Sequence, residues 1–221
     1  MTKAKPKHLR PTDLWFRALG AILDEMNGLD SESYYELKRT KDNIDMHAYS
    51  LKRDWNIASG EDLKEALGQL RDNGHRSSFD KTRWILSSMT EAEQAAYIQT
   101  ISPASSQYTQ ACIVRAYMNR LPRAGIAAWD WGRYANMCKK GVFLSYITES
   151  EARELLMLIG PEVQKAYSGW LEFAISYLAG RQFWWNQLTR ESAEEHAGYV
   201  HKLVTDNKSL WNQLDWKLSL E

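Results

Sequence analysis

The sequence predicts an all-α protein: a compact multi-helix globular domain built around two aromatic-rich helices at about 124–140 and 161–181. Three observations point there. Apolar residues recur at spacings of three and four through most of the chain, the period of a helix face. Capping boxes at Ser59–Asp62, Thr90–Glu93 and Thr148–Glu151 mark helix starts. No alternating strand pattern exceeds four residues, and no Asn-Gly hairpin signal separates two apolar runs.

Taken in order, Thr12 can cap a first helix over Asp13–Met26, whose apolar face carries Trp15, Leu19, Ile22, Leu23 and Met26. Residues 32–54 place Tyr34, Leu37, Ile44, Ala48 and Leu51 among many charges, the pattern of an exposed helix or a broken pair. The helix after Ser59 buries Leu63, Leu67 and Leu70, and Gly74 stops it. A short helix follows around Phe79, Trp84 and Ile85, then one from Thr90 to about Ile101. Pro103 suits the start of the next helix, which runs to about Arg120. A helix from about Ala124 ends at Gly141, another runs from Thr148 to Ile159, and Pro161 opens a long one reaching Gly180. Two more lie near 189–206 and 207–217. The expected organisation is a disordered basic tail (1–11), an N-terminal helical extension (12–50), a helical core (51–188) and C-terminal helices packed on it (189–221).

Composition narrows the class of function. The chain has 221 residues, 44 % of them hydrophobic, enough for a sizeable core. Lys plus Arg and Asp plus Glu both number 28, so the formal net charge is zero, which argues against a nucleic-acid binder. No apolar run approaches the ~18 residues that a membrane span needs, and the basic N-terminus is not followed by the apolar core of a signal peptide. The expectation is a cytoplasmic protein, off the membrane, with Cys112 and Cys138 as buried free thiols.

The stretch from Gly125 to Trp185 organises the rest, and it holds five of the ten tryptophans. Ile126, Asp130, Arg133 and Met137 share one helix face, as do Trp170, Ala174, Tyr177, Arg181 and Trp184 on the second helix. A charge on an apolar stripe must find a partner, because a buried unpaired charge costs several kcal/mol. The expectation is that Asp130 accepts hydrogen bonds from Arg181 or Arg133, in a network completed by Tyr146, Tyr177 or an indole, with Trp170 and Trp184 in the core. Such a network either fixes helix register or grips an anionic ligand between aromatic walls.

Other chemistry is sparse. His75 follows a helix-ending glycine and precedes Arg76, a position that suits a C-terminal cap. His196 and His201 are five apart, on different faces, and Glu194 and Glu195 do not complete a zinc pattern. Glu149, Glu151 and Glu154 stabilise the amino end of their helix rather than hold a metal. No phosphate loop, nucleophile elbow or paired nucleophile and base is present, so no catalytic residue, metal ligand or cofactor is assigned.

Several separate motifs occur in one order: Trp129-Asp130 with Gly132-Arg133; Tyr146-Ile147-Thr148 with Glu151-Ala152; and Ser168, Trp170, Tyr177, Gly180-Arg181 and Phe183-Trp184. Upstream stand Trp55, Ile57, Leu63, Leu70 and Gly74-His75-Arg76. Together, over roughly Leu51 to Trp185, they resemble the signature of a bacterial domain-of-unknown-function family, number 1266, the YbeR/YbeU-like proteins. The resemblance implies a bacterial origin and a helical fold, and brings no activity with it. It groups His75, Arg76, Asp130, Arg133 and Arg181 as one constellation.

Two functions follow as expectations. The first is a non-enzymatic protein that binds another protein, given its surplus of Trp and Tyr; an immunity-type role, neutralising a bacterial toxin, fits such an object. The alternative is an enzyme or sensor with an anion-binding cleft formed by Arg133, Arg181 and His75. The arginines discriminate. Saturated by carboxylates they are structural; converging on an open cleft they serve a ligand.

Overall fold

The computed structural model describes residues 9–29 and 39–220, and every regular element among them is helical. Most of the expected basic tail lies outside the described residues, as do His8, Tyr34 and Leu37.

The first expected helix is two, α1 (Pro11–Ala18) and α2 (Ala21–Met26). Pro11, with its preset φ, starts α1 earlier than a Thr12 cap would. The break at Leu19–Gly20 has a visible cause: the Trp211 indole donates to the Ala18 carbonyl at 2.8 Å and takes that acceptor from the helix ladder. Helix α3 (Lys41–Trp55) starts where Thr40 accepts from Asn43 N–H, and stops at Asn56 in the left-handed region, φ 57°. Ser59 caps α4 (Gly60–Asp72) and Thr90 caps α6 (Glu91–Gln99), with α5 (Arg76–Ser87) between them. Helix α7 (Ser106–Tyr117) begins beyond Pro103, at a Ser105 cap, and ends short of Arg120.

Helix α8 (Ala127–Phe143) begins after the turn in which Gly125 N–H bonds to the Pro122 carbonyl, later than Ala124. Pro161 does not start a helix. It sits inside α9 (Glu149–Ala166), where it forgoes one backbone bond without ending the element. The break comes instead at Tyr167–Gly169, before α10 (Trp170–Trp185). Tyr167 turns extended there, so its hydroxyl accepts from Ala128 N–H at 2.9 Å, and Glu172 receives the Ser168 N–H at 2.6 Å. Helix α11 (Arg190–Thr205) and the short α12 (Leu210–Gln213) complete the chain.

Helix α8 is the axle. Every residue of it except Lys140 is buried, and α1, α2, α4, α9 and α10 pack around it. Its closest partner is α10, as the two aromatic-rich stretches suggested. Glycine permits that approach: a Cβ on Gly180 would lie 2.3 Å from the Trp129 Cβ. Trp15, Trp170, Trp211 and Trp216 cluster beside it, and all four indoles donate to backbone carbonyls, at 2.8–3.1 Å. The two chain ends thereby join the core: Trp15 and Phe16 share one apolar cluster with Trp211, Trp216 and α8. A second, smaller cluster of Phe79, Ile113, Ala179 and Phe183 lies between α5, α7 and α10.

Candidate functional site

Helix α5 has no side-chain cap of its own. Asp130, completely buried on α8, supplies one from a distance. Its Oδ1 accepts the His75 backbone N–H at 2.9 Å, and its Oδ2 accepts that of Arg76 at 3.1 Å. A carboxylate suits this place because the first N–H groups of a helix have no internal partner and carry the positive end of its dipole. Gly74 makes the approach possible. Its φ is +54°, and a Cβ there would lie 2.1 Å from Asp130 Oδ2.

Two guanidinium groups complete the shell. Arg133 donates from Nη2 to Asp130 Oδ1 at 2.7 Å, and Arg76 from Nη1 to Oδ2 at 3.2 Å. Arg76 also donates to the Leu70 and Arg71 carbonyls, so it closes the last turn of α4 while pairing with Asp130. Burial alone would raise the Asp130 carboxyl. The Arg133 guanidinium and the two backbone N–H groups work against burial, and the carboxyl lies below the usual carboxylate range.

Arg133 Nη2 lies 2.8 Å from His75 Nδ1. A guanidinium can only donate, so Nδ1 is the bare nitrogen and the ring proton sits on Nε2. Arg133 is also held by two indoles, with Cζ 4.5 Å from the Trp129 ring centroid and 5.2 Å from that of Trp55. His75 is therefore at the N-terminal boundary of α5 and in the Asp130 shell, not a C-terminal cap of α4.

Arg181 is elsewhere. It does not pair with Asp130; its Nε donates to His196 Nε2 at 2.8 Å, and its plane lies over Trp185 at 4.8 Å. Nε2 of His196 is thus the acceptor, and Nδ1 carries the proton toward Ser192 Oγ at 3.3 Å. Burial, then the neighbouring guanidinium, pushes His196 below its ordinary value, so the ring is neutral. The two terminal nitrogens of Arg181 make no hydrogen bond, and no carboxylate lies within ion-pair distance of them, among the described residues.

Both arginines line one cleft of about 710 Å³ between α3, α8 and α10. Trp55, Trp129 and Trp184 give it aromatic walls, and His75, Asn136 and Lys140 add polar groups. Its one carboxylate among the described residues, Asp54, is tied to Arg53 at 2.6 Å. A second cleft of about 560 Å³ shares Trp55, His75 and Arg133 with the first and continues over Gly74 and Ser78.

Of the residues singled out from sequence, Asp130, Arg133, His75 and Arg76 meet in one cluster, and Arg181 lies apart from it on the same cleft. Tyr146 sits in the turn after α8, over Gly60, and takes no part in the cluster. The Tyr177 ring packs edge-on against Trp129, and its buried hydroxyl has no hydrogen-bond partner among the described residues. Trp184 is 47 % exposed and is no core residue: α10 runs past the edge of α8 at that point, and the ring faces the cleft. Sequence reasoning missed a second buried ion pair, in which Asp24 meets Lys139 Nζ at 2.9 Å and Asn136 Nδ2 at 2.9 Å. The available signal was Asn136 and Lys139, three apart on α8 and so on one side of it.

Two proteins of Escherichia coli strain K12 are similar to this chain. The uncharacterized protein YbeR is 27 % identical over 138 residues, 62 % of this chain and 57 % of its own length. The uncharacterized protein YbeU is 26 % identical over 136 residues, again 62 % and 57 %. The chain thus spans less than two thirds of the length of these relatives. No solved structure matches it. Residues 50–216 match the model of a family described as a protein of unknown function (DUF1266), a span that includes Trp55, His75, Asp130, Arg133 and Arg181. The chain belongs to that family.

Proposed function

We propose that this protein binds a small anionic ligand in the cleft between α3, α8 and α10, as a binding or sensing module. The observation that carries the reading is Arg181. Arg133 is already paired with Asp130 through Nη2 and keeps only Nη1 without a bond among the described residues. Arg181, half-buried, is fixed through Nε, leaves both N–H₂ groups without a hydrogen bond among the described residues, and lines a cleft with no free carboxylate among its described residues. A guanidinium held in this way is a preorganised fork for a carboxylate or a phosphate.

The test is calorimetric titration with pyrophosphate and with citrate as probes. Saturable binding of at least one is expected, weakening as salt rises because the site is open to solvent, and lost in Arg181→Gln. Absence of binding by both probes at low salt would overturn the reading.

A second reading, binding of another protein such as a toxin, draws on apolar side chains left outside. Trp84 on α5 is 72 % exposed, and Leu171 and Ile175 on α10 are 58 % and 41 % exposed. Affinity capture with the native chain and with Trp84→Ala tests it: a stoichiometric partner retained by the first and lost by the second is expected.

A further inference from the structure

We infer that the ligand of this cleft is a flat ring carrying a phosphate-type dianion, with the charge on Arg181 and Arg133 and the ring on Trp184. This inference rests on the anion-binding reading and sharpens it.

The charge requirement comes from the donors. The terminal nitrogens of Arg181 are unpaired, and Nη1 of Arg133 makes no hydrogen bond within the described residues, although Nε and Nη2 do. Nε2 of His75 carries a proton, by the tautomer argument, and the ring is partly exposed at the cleft. All three residues only donate at these atoms, and two of them are permanent cations. A monoanion satisfies one fork. A dianion matches the two cations that line this cleft better than a monoanion does, with the imidazole N–H beside Arg133 as a further donor.

The ring requirement comes from size and from Trp184. A space of about 710 Å³ falls in the range of organic-ligand sites and is far larger than an inorganic oxyanion. Trp184 stands three residues after Arg181 on α10, so cation and indole project from one helix face. Its ring leans on Trp129, with centroids 5.5 Å apart, and remains 47 % exposed. An indole braced on one side and open on the other is a platform for a second flat ring. Trp55, whose ring packs on Arg133, bounds the cleft as well.

The experiment compares phenyl phosphate, inorganic phosphate, benzoate and phenol as probes, by calorimetry and tryptophan fluorescence on the full chain. Phenyl phosphate is expected to bind at least about tenfold more tightly than each of the other three, the difference of ~1.4 kcal/mol that one well-placed ring or charge supplies. Trp184→Ala is expected to weaken phenyl phosphate more than inorganic phosphate, and Arg181→Gln to weaken both. Equal affinity for inorganic and phenyl phosphate would overturn the ring while leaving an anion site. Equal affinity for benzoate and phenyl phosphate would overturn the dianion. No binding of phenyl phosphate, with pyrophosphate or citrate still bound, would reject this ligand class alone. If those two probes also fail, the anion-binding reading falls with it.

Discussion

Asp130 accepts the backbone N–H of His75 at 2.9 Å across 55 positions of sequence, so a carboxylate on the central helix caps the helix that begins beside it. The same carboxylate pairs with both Arg133 and Arg76. Asp130→Asn leaves two guanidinium groups short of a counter-charge in a dry site, and is expected to cost about 3–5 kcal/mol in urea denaturation. Asp130→Leu/Arg133→Met is expected to cost clearly less than the sum of its single changes, because that pair leaves together and only Arg76 keeps an unmatched charge. Simple additivity would show that the pair does not interact.

Gly74 and Gly68 make a matched comparison. Gly74→Ala places a methyl group on the Asp130 carboxylate and keeps a positive φ. The left-handed backbone alone costs about 1–2 kcal/mol, and the clash adds to it. Gly68, in the middle of α4, has nothing within 4 Å of an added Cβ. Gly68→Ala is expected to stabilise by about 0.5–1 kcal/mol, as the helix loses a flexible residue. Similar effects of the two changes would rule out the steric role given to Gly74.

Trp170 and Trp184 should separate just as clearly. Trp170 is 8 % exposed and stacks on Trp211 with centroids 5.5 Å apart, so Trp170→Ala is expected to cost about 3–5 kcal/mol. Trp184→Ala removes a ring that is half open to water, and a loss of about 1 kcal/mol or less is expected. Equal losses in thermal or chemical denaturation would put Trp184 back in the core.

His196 gives the pH dependence. Its folded value is depressed, by burial first and by Arg181 second, so the unfolded chain binds more protons in weakly acidic solution. Its contribution to stability is complete above the ordinary histidine value of about 6.5, and falls away as pH drops from there through the folded value. Denaturation midpoints at pH 7.5 and pH 5.5 should show this loss in the native chain and a smaller one in His196→Gln. An unchanged pH slope in the variant would remove His196 from the account.

What was legible in the sequence was mostly local. The boxes at Thr90–Glu93 and Thr148–Glu151 close within one turn, and both form as drawn. Pro161 misled because α9 continues through it despite the missing N–H and the crowding by the proline ring; the break comes where Tyr167 reaches Ala128, a contact between distant segments. The apolar stripe of α8 showed that Asp130 had to be paired, but two of its four partners are backbone N–H groups, which leave no mark on residue identity. Gly74 carried that information instead, through the shape of the turn. Of the two partners expected for Asp130, Arg133 pairs with it, whereas the stripe that carries Arg181 leaves the core along α10 and ends at the cleft.

The division of labour between the two arginines is tested most directly by melting temperature with and without pyrophosphate, in the native chain and in Arg181→Gln. A ligand that binds only the folded state raises stability by RT ln(1 + [L]/Kd), about 2.7 kcal/mol at a hundredfold excess over Kd. The expected result is a clear upward shift in the native chain and none in Arg181→Gln, while the unliganded variant melts within a few degrees of the native chain. A variant that keeps the full pyrophosphate shift would contradict the assignment of Arg181 to the ligand.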